Sequence, residues 1–169
     1  MPNKPLVAAL ALGIALAGCA GKPPAQLPPG PGLGSEQGSG FGAPGGAAIP
    51  GSQADFIASV TSDTITFDTD RYNIDRADVA TLQSQAQWLA RYPGVRIAVE
   101  GHCDERGTRD YNLALGERRA NAAKNYLVGL GVAPERIVTV SYGKERPVGL
   151  GSDEASWARN RRAVTVTVR

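Results

Sequence analysis

Apolar residues recur along this chain at two spacings, and the switch between them marks out the elements. Ser52 to Val60 reads as a short helix capped by Ser52. From Thr64 to Phe67 apolar and polar positions alternate, with Ile65 and Phe67 on one face, which predicts a strand. Val79, Leu82, Ala86 and Leu89 then repeat at 3-4-3 spacing, the stripe of an amphipathic helix. Asp75 stands at its start, with Asp78 three residues on in a loose capping box, and Tyr92-Pro93-Gly94 ends it. Alternation returns at Val95, Ile97, Val99 and Gly101. A long helix from about Asn112 to Leu130 follows, with a core stripe of Leu113, Ala120, Ala123, Leu127 and Leu130 and a C-terminal cap at Gly131. Ile137 to Tyr142 predicts a third strand, Asp153 to Ala158 a short helical turn, and Ala163 to Arg169 a fourth strand of alternating valine and threonine.

The order βαβαβ(α)β predicts an α+β fold, a mixed four-stranded sheet with its main helices on one face. No internal repeat is present.

The N-terminal third follows neither pattern. Lys4 precedes an apolar run of 11 residues, Leu6 to Leu16. A bilayer span needs about 20, so the run reads as the apolar region of an export signal. It ends in Leu16-Ala17-Gly18-Cys19, which resembles the lipobox of bacterial lipoproteins. That resemblance implies cleavage before Cys19 and acylation of its thiol. With Ala20 in the next position, it favours the outer membrane over the inner. Residues 20–51 then hold 17 Gly or Pro in 32 positions and only two charges, Lys22 and Glu36. Such a stretch cannot bury enough apolar surface to offset its ordering entropy. It is expected to act as a tether with a mean span of about 30 Å. The expected organisation is a signal at 1–18, a lipidated Cys19 and tether over 19–54, and one domain over 55–169.

Composition narrows the function. Net charge is +2, with no long basic run, which argues against a nucleic-acid partner. There are two cysteines. If Cys19 is acylated, Cys103 has no intrachain partner, so the fold cannot depend on a disulfide.

Candidate chemistry gathers between Val99 and Ala120. Strand parity puts Glu100 and His102 on one face, and Ile97, Val99, Gly101 and Cys103 on the other. Asp104 follows at the strand end, a common place for ligand groups. Arg119 lies on a helical stripe with Leu115, Ala122 and Tyr126 that flanks the core, so it should be half buried and in need of an acidic partner. An acid and an arginine so placed can hold a zwitterion, the acid meeting an ammonium and the arginine fork a carboxylate. They can equally form a plain Asp104–Arg119 ion pair. His102 and Cys103 are strand neighbours facing opposite ways, so they make no nucleophilic dyad. One histidine and one free cysteine match no usual zinc spacing. Asp104 and Glu105 are adjacent acids among arginines, a pattern of binding or solvated groups more than of glycoside cleavage.

Three motifs resolve the choice. Gly101-His102-x-Asp104, Leu115-x-x-x-Arg119-Ala120 and Asn160-Arg161-Arg162 resemble the OmpA-like peptidoglycan-binding domain family, in order and over about residues 60 to 169. Asp104-Glu105-Arg106-Gly107-Thr108 and Ser141-Tyr142-Gly143-Lys144-Glu145 extend the match toward its lipoprotein members. The resemblance implies an OmpA-like sandwich that binds the diaminopimelate side arm of peptidoglycan without covalent chemistry. Asp104 would take the ammonium and Arg119 the carboxylate; Phe67 and Asp68 would line the pocket, with Arg106 and Arg162 as further contacts. It also implies a lipid-anchored protein of the outer membrane facing the periplasm. Such a protein works with the Tol system, without enzymatic activity, cofactor or metal. Cys103 departs from the family, which usually has Thr or Ala there. A peptidoglycan-cleaving enzyme and a purely structural lipoprotein are the competing readings.

Overall fold

The computed structural model describes residues 48–168. The expected export signal, the expected lipidation at Cys19 and most of the expected tether lie outside those residues.

Helix α1 (Gln53–Ser59) begins two residues before the expected domain boundary, and Ser52 Oγ accepts from Asp55 N as its cap. Strand β1 is Thr64–Thr66, α2 Arg76–Arg91, β2 Arg96–His102 and α3 Arg109–Gly129. One turn of 3-10 helix at Pro134–Arg136 leads into β3 (Ile137–Gly143). Helix α4 (Glu154–Asn160) and β4 (Arg162–Val168) complete the domain. The strand order is β1-β4-β2-β3, with β2 and β3 parallel and the other pairs antiparallel. This is the mixed four-stranded sheet that the pattern predicts.

The core lies between the sheet and α2 and α3. Ile65, Ile97, Val99, Ile137 and Ala163 meet Leu82, Leu89, Ala120, Ala123 and Leu127 there. Trp88 and Phe56 are fully buried in edge contact, with ring centres 4.9 Å apart. Burying a large apolar side chain contributes about 1.5–3 kcal/mol, so Phe56 ties α1 into the same core.

Several local expectations change. Leu113 is only half buried and Leu130 is 41 % exposed. The buried face of α3 runs instead through Asn112, Leu115, Gly116, Arg119, Ala120, Ala123 and Leu127. The capping box at Asp75 does not form. The Asp78 carboxylate turns inward and accepts from Thr66 N at 3.4 Å. The cap at Gly131 is a full Schellman motif: Gly131 has φ +97°, its N–H donates to Val128 O, and Val132 N donates to Leu127 O.

One contact sets how α3 lies on β2. A Cβ built on Gly101 would fall 1.8 Å from Gly116 O, and one on Gly116 would fall 2.4 Å from Ser141 Oγ. Only two glycines let strand and helix meet backbone to backbone. The helix then carries Arg119, one turn beyond Gly116, to the end of the strand.

Candidate functional site

The carboxyl end of β2 opens into a cavity of about 230 Å³. The loop after β1 supplies Thr69 and Asp70. The end of β2 and the turn beyond it supply Cys103, Asp104, Arg106 and Gly107. Helix α3 supplies Tyr111, Asn112, Leu115 and Arg119. The last four lie at helical spacing on one side of α3.

Arg119 is 1 % exposed, not half buried. Its guanidinium donates to three main-chain carbonyls: Nε to Arg71 O at 2.9 Å, Nη1 to His102 O at 2.8 Å and Nη2 to Asp68 O at 3.1 Å. The Phe67 ring lies 5.2 Å from it. The ion pair with Asp104 does not form, and among the described residues no acid lies within 4.0 Å of Arg119. Three of five N–H groups are used, which leaves one on each terminal nitrogen. Burial pulls its pKa down, partly offset by Cys103 and Asp104. A buried cation without an anion is costly, and this one borders a cavity.

Asp104 is held by other arginines. Its Oδ1 accepts from Arg106 N and Nε at 3.1 Å each, and its Oδ2 from Arg106 Nη2 at 2.7 Å and Arg161 Nη1 at 3.5 Å. Burial opposes ionisation of Asp104, but the hydrogen bonds from Arg106 and Arg161 outweigh it and hold the carboxyl below the usual aspartate range. Arg161 also donates to Phe67 O at 3.0 Å and to Glu154 Oε1 at 2.7 Å.

The turn carrying these groups is braced on both sides. Asn112 Nδ2 donates to Arg106 O and Thr108 O, and Lys144 Nζ to Glu105 O and Gly107 O. Arg106 lies 4.3 Å from the centre of the Trp157 ring, whose Nε1 donates to Glu105 Oε1. Gly107 takes φ +84° there, a conformation that favours glycine.

Asp104, Arg106 and Arg119 therefore meet in one cavity. Phe67 and Asp68 border a neighbouring depression with Thr66, Asp75, Ala158, Arg159 and Arg161, although Asp68 O is one of the three acceptors of Arg119. Arg162 does not reach the cavity. It opens β4 and points to the face of the sheet that α2 and α3 leave uncovered. Its neighbour Arg161, in the turn before the strand, is the residue that reaches Asp104.

Sequence reasoning missed Asp70. It sits at φ +55°, lines the cavity and accepts from Tyr111 Oη at 3.2 Å. The signal was available in the second acid of Phe67-Asp68-Thr69-Asp70. Cys103 is buried, as its strand parity predicts, at 3 % exposed, and it also lines the cavity. Its thiol donates to Asn112 O at 3.3 Å, and burial raises its pKa. The His102 imidazole lies on the opposite side of the sheet, so the two make no dyad. Among the described residues no group of three or more His, Cys, Asp or Glu is placed to hold a metal ion, and no helix is long and apolar enough to cross a membrane.

The mixed sheet, with strand order β1-β4-β2-β3, and its helices match a known class. The model of the OmpA family matches residues 66–161. A Rhizobium meliloti protein named peptidoglycan-associated lipoprotein is 54 % identical over 97 % of this chain and 88 % of its own length. The protein of that name from Agrobacterium fabrum is also 54 % identical, over 98 % of this chain and 89 % of its own. The crystal structure of the peptidoglycan-associated lipoprotein from Burkholderia pseudomallei superposes with a TM-score of 0.64 at 45 % identity. It covers 68 % of this chain and all of that one. The chain belongs to the OmpA family, in the branch whose members carry that name.

Proposed function

We propose that the chain is a lipid-anchored protein of the outer membrane, facing the periplasm, that binds peptidoglycan without covalent chemistry and ties membrane to wall. The observation that carries this is Arg119: a buried guanidinium, fixed by three carbonyls, with two N–H groups that donate to no oxygen and, among the described residues, no acid within 4.0 Å. A ligand carboxylate completes it. Asp104 and Asp70 line the same cavity and supply the negative charge for an ammonium. Leu115 and Cys103 give an apolar wall between the two poles. The free end of a diaminopimelate side arm has this form, an ammonium and a carboxylate on one carbon at the end of a methylene chain. The names of the similar proteins support the same reading. A partnership with the Tol proteins, and acylation of Cys19, follow from the resemblance.

The test is sedimentation with purified peptidoglycan, assayed also for released fragments. Wild type should pellet with diaminopimelate-type walls and release nothing, and it should bind lysine-type walls poorly, because lysine lacks the distal carboxylate. Equal binding to both wall types removes the role given to Arg119, and fragment release would make the protein a hydrolase. Cys19→Ser should leave wall binding intact and abolish fractionation with the outer membrane.

A further inference from the structure

Arg119 is not alone among buried arginines in lacking an acid. Arg162 is 8 % exposed, and no carboxylate among the described residues lies within 4.0 Å of it. Its hydrogen bonds are long, Nη2 to Arg146 O at 3.2 Å and Nη1 to Asn160 O at 3.5 Å.

Arg162 belongs to a row that crosses three strands on the face away from α2 and α3, where it and His102 are buried and Arg146 is exposed. Gly101 pairs with Ala163, so the next rung sets His102 beside Arg162. On the other side the register of β2 against β3 slips at Gly101/His102. There the imidazole stacks on Tyr142, with ring centres 5.4 Å apart and planes 27° from parallel. The Arg146 guanidinium lies 3.7 Å from the centre of the same tyrosine ring.

Among the described residues the imidazole has no hydrogen-bond partner. His102 is 2 % exposed and neither ring nitrogen makes a hydrogen bond. Buried polar groups are nearly always paired, and an unpaired one costs about 1–3 kcal/mol. Glu100 Oε2 stands 3.7 Å from Nε2, beyond hydrogen-bond reach. The approach of Glu100 shows that a carboxylate fits beside the ring, but from its own rung it stops short. Burial, and then the charges of Arg162 and Arg146, push the imidazole pKa down to about 4. Among the described residues the row thus presents two guanidiniums and a histidine with one partly buried acid, Glu100, beside them.

We propose that Arg146, His102 and Arg162 form a docking site for the carboxylate of an acidic segment of a protein partner, on the face of the sheet opposite the cavity. Arginine forks suit a carboxylate. Val164 and Val140 flank Glu100 on the two neighbouring strands and are partly exposed. They offer an apolar floor for the aliphatic part of such a segment, which a small free anion would not use. Two arginines are too few for the extended basic stripe of a nucleic-acid site.

His102 is the single histidine of the chain, so its imidazole NMR signals report this site alone. The test titrates the full chain with a blocked pentapeptide of alternating valine and glutamate. The imidazole signals should shift and saturate, and the imidazole pKa should rise by at least one unit, because a bound anion favours the charged ring. Arg162→Gln should weaken binding at least tenfold. Arg146→Gln, at an exposed position, should weaken it at least fivefold with the fold and wall binding unchanged. It carries the test should Arg162→Gln unfold. The proposal is overturned by no saturable shift, by an equal response to the same peptide with glutamine for glutamate, or by wild-type affinity in Arg146→Gln. Inorganic phosphate, or vesicles of anionic phospholipid, acting as strongly as the peptide would also overturn it.

Discussion

Two arginines at opposite ends of the domain make the same kind of hydrogen bonds in different surroundings. Arg119 donates to the carbonyls of Arg71, His102 and Asp68. Arg136 donates to those of Val95, Leu89 and Tyr92, at 2.8, 3.1 and 2.8 Å. Both gather main-chain carbonyls at the ends of elements with a planar fork, as arginine is suited to do. Arg136 keeps contact with solvent, which screens its charge. Arg119 is dehydrated and faces a cavity. A carbonyl cradle is therefore no mark of a ligand site. What singles out Arg119 is a buried charge beside open volume with no acid to answer it.

The sharpest way to break this comparison is to exchange the fork for a point charge. Arg119→Lys keeps the charge but loses the bidentate face, so peptidoglycan retention should fall at least tenfold. Arg119→Ala should abolish it, since losing one partner of a buried charged pair costs about 2–5 kcal/mol. Wild-type sedimentation of both variants would end the assignment.

Arg136→Ala is the matching control. Hydrogen bonds to a charged group contribute about 1.5–3 kcal/mol each when fully formed, and those of a half-exposed arginine less. The melting temperature should drop by several degrees while wall binding holds. A loss of binding with stability unchanged would contradict the division of roles.

Acid should separate the two properties again. The folded-state pKa of His102 lies near 4, below the unfolded value of about 6.5. The unfolded chain therefore takes up the proton first, and stability present above pH 6.5 is lost as pH falls toward 4. His102→Leu should flatten that slope. Asp104 is also lowered, so its contribution persists above the unfolded value of about 3.9 and is lost only as pH falls through its still lower folded value. Wall binding should hold down to about pH 5, because Asp104 stays ionised there. Thermal melts and sedimentation across pH 4 to 7 check both.

The smallest effect is expected between the two arginines, on α3. Gly129 is exposed, and a Cβ added there would meet nothing within 4 Å. Gly129→Ala should raise stability by about 1 kcal/mol and leave binding untouched, as thermal melts and sedimentation can check.

The elements were legible because strand alternation and helical spacing are strong in this chain. The Gly131 cap was read from one residue. Arg119 was harder. Its helical phase suggested a flanking stripe, but the Gly101–Gly116 contact draws α3 against the sheet and buries that flank. Nothing in residue spacing reports such a close approach. Arg162 was misplaced by one residue of strand parity, which sends it to the far face and leaves Arg161 for Asp104. Asp70 lies in a loop, where periodicity gives no direction, and only its place as the second acid after Phe67 marks it.

The attachment of α1 gives the domain a mechanical direction. Gln53 Oε1 accepts from Thr167 N, and Thr167 pairs with Ile97 near the start of β2. The cavity lies at the other end of the same strand, seven residues away, roughly 23 Å at strand rise. If the proposed anchoring at Cys19 and wall binding both hold, tension between that anchor and a ligand in the cavity would run along β2 and β4. It would load their ladder of hydrogen bonds in shear, all at once, instead of peeling them apart one by one. A protein pulled between two surfaces is strongest when held this way.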